Sequence, residues 1–276
     1  MEFESREPPR LQPVTRRLIH ETEEFTGRRV VLVTDGRPGS GVRASYRASI
    51  SDADADVIAV APGESQFIDH LIGHELGHIR QFETVPFERR RLPALSTSGV
   101  REFANSLRGD HVAQAAASLG GPTLRTAVQA WAAGLSAQLA NTPADIEIER
   151  QLAREPEMRP LQERSLRNQI QREIQVLSPT VQRNTPAAVW RASAAMTYAL
   201  HSAVAKEFHD RKLLQPWDAH PATKRSGELL GEIFESAEPQ ILDDFYQASA
   251  RWNRALGLPP LYELRPLAEV REEDNR

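Results

Sequence analysis

His74 and His78 stand four residues apart in the hexapeptide Gly73-His74-Glu75-Leu76-Gly77-His78, and no other feature constrains the chain as strongly. Residues four apart on a helix lie one turn above each other, so a helix presents both imidazoles to a single ion from one face. The neighbouring apolar residues agree with that reading. Phe67, Leu71 and Phe82 share a broad arc with His74, Glu75 and His78, and Ile68, Ile72 and Ile79 lie beside it. The pattern predicts an amphipathic helix with its histidines turned inward. Two neutral imidazoles suit zinc, and Glu75, one position round from His74, overhangs the same ion and can take a proton from water activated there. The expected chemistry is hydrolysis of a peptide bond, with Glu75 as general base toward water and then as general acid toward the leaving amine.

The rest of the composition limits what can complete such a site. The chain has no cysteine among its 276 residues, which excludes thiolate ligands and disulfides and leaves histidine and carboxylates to hold the metal. A formal charge of −4 and a pI near 6.1 supply no electrostatic case for nucleic acid or for a membrane surface. No apolar run approaches the roughly 20 residues of a membrane span, and the N-terminal MEFESREPPRLQP lacks the apolar segment of a signal peptide. A soluble, cytoplasmic protein acting on a peptide or protein substrate is the expectation.

Taken in order, the chain reads as a short α+β part followed by helices. Residues 1–12 are expected to be a loose arm. Pro13 opens a helix whose stripe is Val14, Leu18, Thr22 and Phe25, ended by Gly27. Arg29 to Thr34 reads as a strand, Arg37 to Gly41 as a plain loop without a phosphate-binding pattern, and Val42 to Ile50 as a second strand. Asp52, Asp54 and Asp56 alternate as in a calcium loop, but Val57 stands where glycine is required, so a solvated acidic turn is expected. Asp56 to Val60 reads as a third strand, and Ser65 as the N-cap of the histidine helix. Residues 84–101, with Arg89, Arg90 and Arg91, read as an exposed connection. Pro122 to Asn141 is expected to be a helix, with a new one starting at Thr142-Pro143. Further helices are expected at Leu161 to Leu177, Pro186 to Asp210, Ser226 to Glu235 and Gln240 to Leu256. Trp190, Trp217 and Trp252 are expected to pack between helices.

This order of elements, together with His74-Glu75-Leu76-Gly77-His78, resembles the upper half of the zincin metallopeptidases over roughly residues 13–83. It is most similar to the gluzincin type, including the intracellular bacterial metallopeptidases that cut transcriptional repressors. The resemblance implies a small sheet over an active-site helix, with residues 13–100 forming that zincin-like part and a helical subdomain over 101–276 supplying the third zinc ligand. It also implies that the strand Val57–Ala61 borders the cleft and pairs with an extended substrate.

The third ligand must be a carboxylate, because the third histidine of metzincins is missing after His78. Glu83 is too close along the same straight helix to turn back. In Asp145-Ile146-Glu147-Ile148-Glu149 the apolar arc centres on Asp145 and Glu149, while Glu147 points away. Glu149 is the first choice as ligand. Asp145 is the alternative, or else an acceptor that orients an imidazole. Gluzincins usually place the accessory acid after the ligand glutamate, so the order here is reversed. His70, a turn before His74, reads as a rim histidine. Tyr198 and His201 are candidate donors to the oxyanion. A non-catalytic regulatory or binding protein on a zincin scaffold is the alternative function, although Glu75 serves no purpose there.

Overall fold

In the computed structural model, residues 10–34, 44–47, 55–267 and 269 are described. The loop 37–41, the aspartates at 52 and 54, most of the N-terminal arm and the tail from 271 lie outside them. The fold is α+β, with a small mixed sheet and a mainly helical remainder. The elements are α1 (Pro13–Thr26), β1 (Arg29–Thr34), β2 (Ala44–Arg47), β3 (Ala55–Val60), α2 (Ile68–Glu83), β4 (Arg91–Leu95), α3 (Thr97–Ser106), α4 (His111–Ser118), α5 (Gly121–Ala153), α6 (Arg159–Glu173), α7 (Pro179–Asn184), α8 (Ala187–Glu207), α9 (Pro221–Ala237), α10 (Leu242–Ala255) and β5 (Tyr262–Pro266). Among the described residues, no helix is long and apolar enough to cross a membrane.

Pro13 starts α1, and Gly27, in the left-handed region at φ 70°, ends it as expected. The sheet order is β1-β3-β2, with β1 parallel and β2 antiparallel to β3. This corrects the expectation for Val57–Ala61. The strand lies in the centre, its hydrogen-bonding edges occupied by β1 and β2, so it cannot accept a substrate strand. Burial follows from that position: Ile58, Ala59 and Val60 are buried, as in a strand covered on both faces. Asp56 is no solvated turn residue either. It is fully buried, accepts hydrogen bonds from Arg28 at 3.1 Å and from the Tyr46 hydroxyl at 3.1 Å, and thereby closes the bottom of the sheet.

α2 lies under this sheet. Leu71, Ile72, Leu76 and Ile79 form a core with Val14 and Leu18 of α1, Ile58 and Val60 of β3, and Ile148 and Leu152 of α5. Ser65 does not cap α2. It begins a 3-10 turn, Ser65–Phe67, that leads into the helix at Ile68.

Two segments differ from the sequence reading in ways that matter for the site. α5 is one helix of 33 residues with Pro143 inside it, not two helices meeting at Thr142. Proline at a first turn and proline in an interior have the same φ, so the local signal is ambiguous. Tertiary packing decides it: Leu135, Leu139, Ala144 and Ile146 are all held in the core of the helical half, with Phe103, Phe245 and Trp252. Residues 84–101 are not a bare connection. β4 pairs antiparallel with β5, Leu95 opposite Tyr262, so the end of the chain returns to the α+β part. Arg90, expected in a solvated turn, is buried and paired with Glu83 at 2.6 Å.

Candidate metal centre

The site is made where α2 crosses α5, and two glycines permit the approach. A Cβ on Gly77 would lie 2.6 Å from the Ile148 side chain, and one on Gly73 would lie 3.2 Å from Met158. Bare backbone at these positions lets the apolar edge of α5 seat directly on α2. On α5, Ile146 faces the helical core while Ile148 and Leu152 face the sheet side. Asp145 and Glu149, one turn apart, are thereby directed at the histidines of α2. Gln81 reinforces the crossing by donating to the Ala144 carbonyl at 3.3 Å.

The two acids meet different nitrogens. Asp145 Oδ1 lies 3.4 Å from His74 Nε2 and 3.1 Å from His78 Nε2. The two Nε2 atoms are 3.2 Å apart. Glu149 Oε1 instead lies 2.8 Å from His74 Nδ1. That contact makes His74 a donor through Nδ1–H, so that in its neutral form the lone pair lies on Nε2, facing the other two atoms.

Glu149 is otherwise saturated. His70 Nε2 lies 3.1 and 3.0 Å from its two oxygens, and Gln162 donates to Oε2 at 2.7 Å. Burial alone would raise the Glu149 pKa. Electrostatic attraction to His70 and its hydrogen bond, with the hydrogen bond from His74, outweigh burial and hold it well below the usual carboxylate range. Burial likewise opposes charge on Asp145 and on His74, and in each case the mutual hydrogen bonds prevail. Asp145 is lowered by His74 and His78, and His74 is raised well above 6.5 by Asp145 and Glu149.

Two groupings of metal-capable atoms exist among the described residues, His74, His78 and Asp145, and His70, His74 and Glu149. The first suits zinc better. Its edges of 3.1, 3.2 and 3.4 Å compare with about 3.3 Å between ligand atoms placed tetrahedrally 2.0–2.1 Å from a zinc ion. Its side chains are also partly open, Asp145 at 21% and His78 at 22%, whereas His70 and Glu149 are at 2% and 7%. A catalytic metal needs such an opening.

Glu75 is buried on the same helix turn, with no ion-pair or hydrogen-bond partner among the described residues. His70, expected at the rim, is buried and anchors Glu149, and its Nδ1 has no partner among the described residues. Its position four residues before His74 was the signal for that role. Nothing local marked Gln162. Glu147 accepts from Gln151 at 3.2 Å, away from the histidines, as the wheel implied. Glu83 is engaged by Arg28 and Arg90. Tyr198 and His201 are not brought to this site. The Tyr198 hydroxyl lies 3.4 Å from Glu228, and His201 Nε2 lies 2.8 Å from Glu173, beside Trp217. Their polar atoms are turned to those acids, which removes the geometric basis for an oxyanion role.

Compared with family models, with curated proteins and with solved structures, the chain matches none.

Proposed function

We propose that the chain is a zinc-dependent metallopeptidase of zincin type, with His74, His78 and Asp145 as the protein ligands and Glu75 as the general base. The observation that carries this reading is the near-equilateral triangle of two imidazole Nε2 atoms and one carboxylate oxygen, opening partly to solvent. Its edges match the spacing of tetrahedral zinc ligands, and its donors are those that zinc accepts in a cysteine-free chain.

Zinc bound there supplies a Lewis acid that activates water and polarises the scissile carbonyl. The remaining work falls to side chains. Glu149 fixes the His74 tautomer through Nδ1–H, and His70 and Gln162 hold Glu149 in place. This assigns Glu149, the first choice as ligand on sequence grounds, the positioning role and Asp145 the ligand role. Glu75 has no cation partner among the described residues, which leaves its carboxylate available to accept a proton from water and return it to the leaving amine.

The test is metal content after native purification, beside turnover of unfolded protein substrates. Wild type should carry about one zinc per chain. His74→Ala and Asp145→Ala should lose it, and Glu75→Gln should keep it while losing proteolysis. Failure of the wild type to take up zinc would sink the proposal. Zinc uptake with identical behaviour of wild type and Glu75→Gln toward every peptide would instead leave the non-catalytic zincin-scaffold reading.

A further inference from the structure

We propose that a half-open cavity between α3, α4 and the first turns of α5 binds a single-chain fatty carboxylate, at a site separate from the histidines. The cavity has a volume of about 460 Å³, within the roughly 300–1,000 Å³ typical of small-molecule sites. Its floor is apolar, formed by Val100, Ala104, Leu107, Ala113, Leu124 and Val128, all buried or half-buried. Its polar boundary carries Arg101, Arg108 and Arg125, which are exposed.

The charge pattern selects the ligand. No acidic residue lines the cavity, and the three guanidinium groups have no ion-pair partner among the described residues. Two arginines at other helix contacts are paired, Arg150 with Glu235 and Arg167 with Glu163 and Asp210. An apolar floor rewards a hydrocarbon chain by removing its surface from water. Three uncompensated guanidinium groups at its edge favour a carboxylate head and disfavour a cation. A neutral apolar ligand would leave these charges unused, and an ammonium amphiphile would oppose them.

One acyl chain fits a cavity of this volume; an acidic amphipathic peptide lying across its opening is the competing occupant. The site is also distant from the metal centre. Val128 and Asp145 lie on the same helix, 17 residues and therefore about 25 Å apart.

The experiment is titration calorimetry of the full chain with octanoate, decanoate and dodecanoate below their micellar concentrations. Dodecyltrimethylammonium and an acidic amphipathic peptide serve as comparison ligands. One dodecanoate per chain is expected, with affinity rising about fourfold for each added methylene. The triple variant Arg101→Gln, Arg108→Gln, Arg125→Gln should weaken dodecanoate by about tenfold or more, and Ala104→Phe, which fills the floor, should abolish binding. If Ala104→Phe does not fold, the surface arginine variant decides alone. The proposal is overturned by absence of dodecanoate binding, by indifference to the arginine variant, or by equal affinity for dodecyltrimethylammonium. Tighter, competing binding of the acidic peptide would overturn it in favour of a protein partner.

Discussion

Two helix crossings in this molecule are built alike and do different things. At the crossing of α2 with α5, Gly77 faces Ile148, and at that of α8 with α9, Gly227 faces Tyr198 and the Ala195 carbonyl, where an added Cβ would lie 2.5 and 2.8 Å away. Each crossing has a histidine nearby in contact with a glutamate, His74 with Glu149 at 2.8 Å and His201 with Glu173 at 2.8 Å. The difference lies in the second nitrogen. His201 Nδ1 is buried without a partner among the described residues, whereas His74 Nε2 meets a second imidazole and a second carboxylate. A histidine beside a glutamate is a common core feature. Two imidazole nitrogens converging with a carboxylate, in a partly open position, form a grouping that could hold a metal ion.

The widest gap between the crossings should appear in catalysis. Glu75→Gln is expected to lower peptidase turnover by about 10²–10⁴-fold while zinc stays bound, and His201→Gln to leave turnover within about twofold, since its contacts are to Glu173 and Trp217. Equal losses in the two variants would erase the distinction. Within the first crossing, Glu149→Gln should weaken zinc by about 10–100-fold, less than Asp145→Ala, read by competition with a chelator. The reverse order would restore Glu149 as the ligand.

The glycines separate stability from site geometry. Gly77→Ala and Gly227→Ala should each destabilise the fold by about 1–3 kcal/mol through overpacking, measured by urea unfolding. Only Gly77→Ala should also weaken zinc, because that helix pair carries the proposed ligands. Zinc loss in Gly227→Ala would show that the two crossings are coupled.

The smallest effect is on pH. In metal-free protein, Asp145 and Glu149 are depressed, so their contribution is present above about pH 4 and is lost as pH falls through their folded values. His74 is raised, so its contribution is present below about pH 6.5 and is lost as pH rises through its folded value. Thermal unfolding in chelator should therefore be highest between about pH 4.5 and 6.5. Excess zinc should shift the optimum upward, since binding requires neutral His74. An optimum unmoved by zinc would place the metal elsewhere.

What was legible in the sequence was local and periodic. The apolar arc around His74 and His78 marks α2 and its inward face, and the arc of Ala144, Ile146, Ile148 and Leu152 singles out Asp145 and Glu149 over Glu147, because helical periodicity lies in consecutive residues. The same logic found α1 with its Gly27 stop. It failed at Pro143, where a helix start and a helix interior share one φ, and at Arg91–Leu95, whose partner strand is at the other end of the chain.

The assignment of roles was decided only by tertiary structure. Periodicity puts both acids on one face but does not say which imidazole nitrogen each meets. That depends on how far α5 slides along α2, which the contact of Gly77 with Ile148 sets. It also depends on His70 and Gln162 occupying Glu149. The sequence by itself determined the helices, their inward faces and a cysteine-free donor set, since those follow from residue type and spacing. The offset between the two helices, the sheet order that encloses β3 and the arginine-edged cavity depend on contacts between residues far apart in the chain, and only the packed fold decides those.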